Sequence, residues 1–520
     1  MTRRVSSIIA GRRPEQGGRL TISNPARLDD VVSEAELAGR QALVEACRVA
    51  REAQLSWAEV PGPVRGRAIQ QIGRLVEENK EALARLITRE IGKPIKESRG
   101  EVQEVIDTCT FFLGEGRRLY GQTVPSEMPD KQLFTFRRPV GVATIITAGN
   151  FPVAVPSWYL VPALLCGNSV VWKPAEYSAA TAEAFTQLFL HGGLPDGVFS
   201  MVLAEGPVSF DGLADALDLG LVDKVGFTGS TEVGRRIGEL CGRHAQSPCL
   251  ELGGKNPLVV MPDADLDLAV EGALFSGFGT AGQRCTSLGT AIVHESIHDD
   301  FLGRFTQAVE EAVIGDPLED VLYGPMMNAR FCERFEGWLD LVQPHHKLHG
   351  STGTGRITRE NARRGFVGDA EAGLYYHPTI VDGITLDDEL YRMETFGPIV
   401  GVASFSDFHE AMDLANGHGY GLSSSIYTQD PLNVFRFRDR ISSGMVSVNN
   451  STSGAEAHLP FGGNGRSGNG SRQGGMWVLD QFTRWQAMNW DYSGKLQKAQ
   501  MDVAEVEADL TFRLPEDKPL

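Results

Sequence analysis

The chain has 520 residues, 42% hydrophobic and 22% charged, which excludes a mainly disordered or collagen-like protein. Its net charge of −18 argues against nucleic acid or an anionic membrane as the main partner, because both need a basic footprint. Seven cysteines without a C-x-x-C pair argue against a disulfide framework or structural zinc; no metal is expected, and the setting expected is reducing and cytoplasmic.

Met1–Arg13 holds four arginines and no acid, with no apolar core and no processing site, so it reads as a frayed arm rather than a targeting peptide. Residues 34–56, 64–91 and 98–113 read as amphipathic helices. In the last of these, Val102, Val105, Ile106, Cys109, Phe112 and Leu113 share one face. Pro139–Trp172 lacks any charged side chain, but its prolines and glycines exclude a single membrane span and give strand, loop, helix and strand instead. From 141 to 243 apolar strands alternate with helices, the pattern of an open parallel βαβαβ sheet. A second alternating block runs from about 257 to 450, with strands at Pro257–Met261, Thr290–His294, Ile399–Phe405 and Met445–Asn449 and helices at 265–279, 296–313 and 327–342. Segment 350–372 reads as a surface loop, 480–490 as a strand and 491–520 as a polar, acidic tail. The fold class expected is α/β, with two open parallel domains and small extensions.

Glycine is in excess, at 59 residues. The literal G-x-G-x-x-G at Gly463–Gly468 is not a dinucleotide loop, because no apolar strand enters it and no helix follows. It reads as a loop threading a domain junction. Phe227–Gly234 is better placed, between a strand and a helix that Thr228 or Ser230 can cap, since a helix N-terminus suits a pyrophosphate. Lys173 and Glu176 follow another strand, where ligands of open α/β sheets bind, and can reach ribose hydroxyls. A carboxylate there repels a 2′-phosphate and favours NAD over NADP.

Three further motifs are Phe278–Thr286, which contains Cys285, Leu250–Pro257, which contains Glu251, and Thr147–Pro152, which contains Asn150. With these the sequence resembles the aldehyde dehydrogenase superfamily over residues 20 to 490. Glu394–Pro398 and Pro460–Gly463 add to the resemblance. It implies that Cys285 is the nucleophile, that the Asn150 amide and the Cys285 backbone N–H form the oxyanion hole, and that Glu251 is the general base, with Gly253 and Gly254 giving it room to move. It implies NAD as cofactor, with Gly229 and Ser230 at the pyrophosphate, Glu394 on the nicotinamide ribose, Phe396 near the nicotinamide, and Lys173, Glu176 and Gly253 also in the cofactor site. The domains it implies are 1–120 with 140–253 for NAD, 254–467 for catalysis, and oligomerisation strands 121–139 and 478–492 that make a homodimer or homotetramer; the tail, 493–520, runs past the usual end, and its length alone motivates the expectation that it covers a neighbour's entrance.

Some positions depart from the family pattern: Gly149 stands where many members have Trp, Tyr159 where many have Lys, and Gln473 where many have Glu. Gly279–Thr286, Gly100–Glu104 and Ser453–Glu456 resemble the antiquitin branch, whose members oxidise α-aminoadipic semialdehyde. That likeness implies Arg284, Glu104, Gly454 and Ala455 as substrate contacts. Lys173–Glu176 and His458–Phe461 follow other branches, so the aldehyde stays open. Arg284 has two readings: an anchor for a distal anion on a semialdehyde, or an internal partner of a carboxylate. CoA-acylating oxidation and a non-catalytic protein on the same fold are the alternatives; Glu251 argues against the first, and intact Cys285, Glu251 and Asn150 argue against the second.

Overall fold

Each alternating block of the sequence closes into one sheet, and the expected α/β class with a β-flap is what the chain adopts. The computed structural model describes residues 2–14, 17–350, 353–498 and 506–515. The first sheet has five parallel strands in the order Cys249–Glu251, Lys224–Thr228, Val142–Ile146, Ser169–Lys173 and Phe199–Met201. The chain moves outward from Val142–Ile146 and then returns to its other side, so the strand order reverses beside it. Such a reversal leaves a crevice at the carboxyl ends of the strands. Register places Ile146 opposite both Phe227 and Lys173, so all three open onto that crevice.

The helix Ala154–Leu165 is buried at every position, as its apolar sequence requires, and it packs beneath the loop that carries Asn150. The second sheet has seven strands in the order Lys347–His349, Thr379–Asp382, Ile399–Phe405, Leu288–His294, Asn256–Val260, Ser423–Tyr427 and Met445–Val448. Its edge strand Lys347–His349 runs antiparallel, unlike the all-parallel sheet expected. In a third sheet Lys131–Pro139 pairs antiparallel with Thr483–Asp491 along its full length. No helix of the described residues is long and apolar enough to cross a membrane.

Three expectations need correction. The N-terminal arm is not frayed: Arg3–Ser6 pairs parallel with Arg27–Leu37, with Val5 buried against Ala35. That pairing also takes residues 34–37 into a strand, so the helix expected from 34 begins at Arg40. Residues 64–91 form two helices, Gly62–Glu78 and Lys80–Ile91, because Asn79 leaves helical geometry and turns its amide back on the Leu75 carbonyl at 2.7 Å. Part of the tail, residues 499–505 and 516–520, lies outside the described residues.

Candidate active site

The nucleophile turn begins where the helix Leu266–Phe278 stops. Thr280, Ala281 and Gly282 then take left-handed backbone at φ 52°, 54° and 67°. Side chains other than glycine resist that conformation, so two of the three residues are held there by their surroundings. Glu97 holds them: it accepts from the Thr280 N–H at 3.2 Å and from the Thr280 hydroxyl. The turn delivers Cys285, half-buried, while the other six cysteines are fully buried. Asn256 fixes the Cys285 backbone, giving its amide to the Cys285 carbonyl at 2.8 Å and to the Ser287 carbonyl at 2.7 Å. Burial, with the Glu394 and Glu251 carboxyls nearby, pushes the Cys285 thiol up to about 12.

Asn150 reaches this turn from the first sheet. Its side-chain amide donates to the Gln283 carbonyl at 2.9 Å, which ties the two motifs together. Glu251, at the end of Cys249–Glu251, accepts the Gly463 N–H at 3.0 Å and leaves its other oxygen without a partner. Burial raises its carboxyl well above the usual range. The space for Glu251 comes from Gly462, where a Cβ would stand 2.6 Å from Oε1. A Cβ at Gly253 would collide with Glu394, and one at Gly254 with the Cys285 carbonyl. The rejected G-x-G-x-x-G loop does join the two sheets, since Leu252, just after Cys249–Glu251 of the first, donates to the Ser467 carbonyl at 2.8 Å and Gly421, just before Ser423–Tyr427 of the second, donates to the Ser467 hydroxyl at 3.1 Å.

One cavity of about 480 Å³ runs from Cys285 and Asn150 to the crevice of the first sheet; Glu251, parked on Gly463, does not line it. Cys285 and Asn150 line it together with Lys173, Glu176, Gly229, Ser230, Gly253, Glu394 and Phe396. Ser230 caps the helix Thr231–Arg243, accepting the Val233 N–H at 3.4 Å, so free N–H groups of that helix face the cavity. Val233 and Ile237, on one face of that helix, both line the cavity. Glu176 sits 3.2 Å from Lys173 Nζ and 3.8 Å from Arg330. Burial alone would raise its carboxyl, but Lys173 and Arg330 hold it below the ordinary value. Glu394 accepts from Gly254 at 3.1 Å, and burial brings it to about 7. Phe396, at φ 43°, packs on Phe331. Arg330, Phe331 and Arg334 come from the helix Ala329–Leu339, whose sequence carries no motif to announce them.

The expected substrate contacts separate. Arg284 does not line the cavity: its guanidinium meets Glu97 at 2.5 Å, donates to the Thr280 hydroxyl at 3.3 Å and lies over Phe275. A buried guanidinium needs a carboxylate, and Glu97 provides it, so of the two readings the internal pair is the one realised. Glu104 does not pair with it: one of its oxygens is buried without a partner, and burial, with Glu101 nearby, raises its carboxyl to about 8. Gly454 and Ala455 lie on the loop that Ser453 brings to Thr286, hydroxyl to hydroxyl at 3.3 Å, one residue from Cys285. Among the described residues His345, His346 and Asp388 could group around a metal. Nδ1 of His346 accepts the Gln343 N–H at 2.9 Å, and its Nε2 lies 3.2 Å from the Asp388 carboxylate.

Comparison with known proteins agrees with this geometry. The family model described as "Aldehyde dehydrogenase family" matches residues 12–488. The chain is 37% identical over 496 residues to the alpha-aminoadipic semialdehyde dehydrogenase of Bos taurus, covering 93% of this chain and 88% of that one. It is 34% identical over 472 residues to the alpha-ketoglutaric semialdehyde dehydrogenase of Bacillus subtilis, covering 91% and 94%. The crystal structure of an NAD-dependent aldehyde dehydrogenase from Sinorhizobium meliloti matches with a TM-score of 0.89 at 31% identity, covering 95% of this chain and 96% of that chain. The chain therefore belongs to the aldehyde dehydrogenase family.

Proposed function

We propose that this chain oxidises a semialdehyde to the carboxylic acid with NAD, through covalent chemistry at Cys285. The observation that carries the reading is the single cavity that joins Cys285 and Asn150 to Lys173, Glu176 and the N-terminus at Ser230.

The residues of that cavity fit a dinucleotide. Its pyrophosphate suits the free N–H groups after Ser230 and the close approach allowed by Gly229. Glu176 and Lys173 suit one ribose, and Glu394 beside Gly253 suits the other. NAD, when bound, supplies the hydride acceptor that turns the thiohemiacetal into a thioester.

The chain's own groups do the rest. The Cys285 thiol gives its proton to solvent, the thiolate adds to the aldehyde carbon, and the carbonyl oxygen becomes an alkoxide. The second N–H of the Asn150 amide and the Cys285 N–H meet that charge, because one Asn150 N–H is already spent on Gln283. After oxidation, Glu251 leaves Gly463, takes a proton from water, and the resulting hydroxide opens the thioester to the acid. Burial raises the Glu251 carboxyl while it is parked, so it gives up its proton to solvent more readily, and becomes a base, as it turns toward the more open cavity.

The relatives' names support a semialdehyde, since both carry that word. Arg284 is committed to Glu97, so we do not assign it to the distal end of the substrate. The flap strands Lys131–Pro139 and Thr483–Asp491 are proposed to join copies into a homodimer or homotetramer, in the cytoplasm. The test is NADH formation on a panel of semialdehydes with carboxylate, amino-acid and neutral ends, with and without CoA. Turnover lost in Cys285→Ala supports the reading; acyl-CoA as the product favours the acylating alternative, and no turnover on any aldehyde overturns both.

A further inference from the structure

We infer that Glu97 and Glu101, one turn apart on the helix Ile95–Glu115, are positioning residues that set the two arms of the oxyanion hole against each other. This rests on the reading of Cys285 and Asn150 given above. The observations behind it come from outside the cavity, since neither glutamate lines it.

Glu97 clasps both ends of the nucleophile turn. It takes the Thr280 N–H and hydroxyl at the start and the Arg284 guanidinium, at 2.5 Å, at the end. Arg284 closes the loop by donating to the Thr280 hydroxyl at 3.3 Å. The turn between them is the left-handed pair Thr280 and Ala281, a conformation that persists only where its surroundings over-determine it. Releasing Glu97 frees that turn, and Cys285 follows Arg284, its far clasp, by one residue.

Glu101 holds the other arm. The helix Ala154–Leu165 starts at Val153, which has no side chain able to cap it. Glu101 caps it from another helix, accepting the Val153 N–H at 2.9 Å and the Ala154 N–H at 3.2 Å. Its second oxygen holds Lys93 at 2.5 Å, and the Lys93 ammonium lies 3.5 Å from the centre of the Phe151 ring, the residue after Asn150. Residues four apart on a helix are neighbours at a fixed spacing. One rigid helical turn therefore spans the Cys285 turn and the Asn150 loop, and Asn150 meets Gln283 at 2.9 Å where the arms touch.

Catalytic geometry is sensitive to displacements of this kind, at up to about a hundredfold in rate for 1 Å. Glu97→Gln keeps the shape and one acceptor but loses the ion pair. The expected result is kcat lower by roughly tenfold to a hundredfold, NAD affinity by fluorescence titration within about twofold, and a larger isotope effect on an aldehyde deuterated at its carbonyl carbon. Thr280→Ala, which loses the hydroxyl that Glu97 and Arg284 share, should repeat this, and Thr280→Ser should restore kcat. Thr280→Ala also stands in if Glu97→Gln fails to fold. The inference is overturned if kcat stays within twofold in folded variants, or if kcat and NAD affinity fall together with the melting temperature and Thr280→Ser restores nothing. Parent turnover tests the proposed function; only the ratios of variant to parent test the bracket.

Discussion

Gly463 gives its backbone N–H to the carboxyl of Glu251 at 3.0 Å, and this bond holds the proposed base on the loop between the two sheets. In the proposed mechanism Glu251 stays there until it turns, so water activation and nucleophilic attack need not compete for the same space.

Glu251→Gln should separate the two halves of the reaction. Cys285 and Asn150 remain, so a single equivalent of NADH forms per site. Hydrolysis then stalls, with steady-state turnover lower by about 10²–10⁴. Stopped-flow absorbance reads both phases. A parent-like steady rate would remove Glu251 from the mechanism. The pH sign follows from burial, which raises this carboxyl. The base works only when ionised, so hydrolysis gains as pH rises through its pKa and fades as pH falls, and the glutamine variant loses that dependence.

The Cys285 thiol in the free enzyme sits at about 12 because burial and two carboxyls oppose its charge. Alkylation requires the thiolate. Its fraction grows about tenfold per pH unit below the pKa, so inactivation by iodoacetamide should climb steadily from pH 7 to 10. A plateau near pH 8 would mean that the resting thiol has an ordinary acidity.

Much of this was legible in the sequence, for identifiable reasons. Strands buried on both faces are plain apolar runs, so Thr290–His294 and Ile399–Phe405 stand where they were expected. Ser423–Tyr427 was not visible, because three serines hide a buried strand; Ser423 and Ser425 turn their hydroxyls onto the Thr452 and Asn450 carbonyls. Cys285, Asn150 and Glu251 sit in motifs that name their chemistry. The Glu97–Arg284 pair spans 187 residues, and no local pattern announces such a partner. The same applies to Arg330 and Phe331, which reach the cavity on an otherwise ordinary amphipathic helix.

Asn256 shows what lies behind the nucleophile. Its amide donates to the Cys285 and Ser287 carbonyls, and its oxygen accepts the Ser423 N–H at 3.0 Å. Asn256→Ala strands three buried backbone groups. The cost should be about 2–4 kcal/mol, given ~1–3 for each group that water does not rescue. Denaturant midpoints check this. Unchanged stability would mean that water enters and replaces the amide.

Glu176 decides the cofactor preference in our account. Its carboxylate lies between Lys173, at 3.2 Å, and Arg330, at 3.8 Å, and those cations keep it ionised despite burial. A 2′-phosphate entering there meets a like charge, whereas a 2′-hydroxyl finds an acceptor. Glu176→Gln removes the repulsion and leaves two cations facing the same spot. The ratio of kcat/KM for NAD to that for NADP should fall at least about tenfold, equivalent to 1.4 kcal/mol. Most of the change should come from a lower KM for NADP, because the new attraction acts on binding and not on the reacting carbon. If the ratio holds while both KM values rise, Glu176 only orders Lys173, and discrimination lies elsewhere in the cavity.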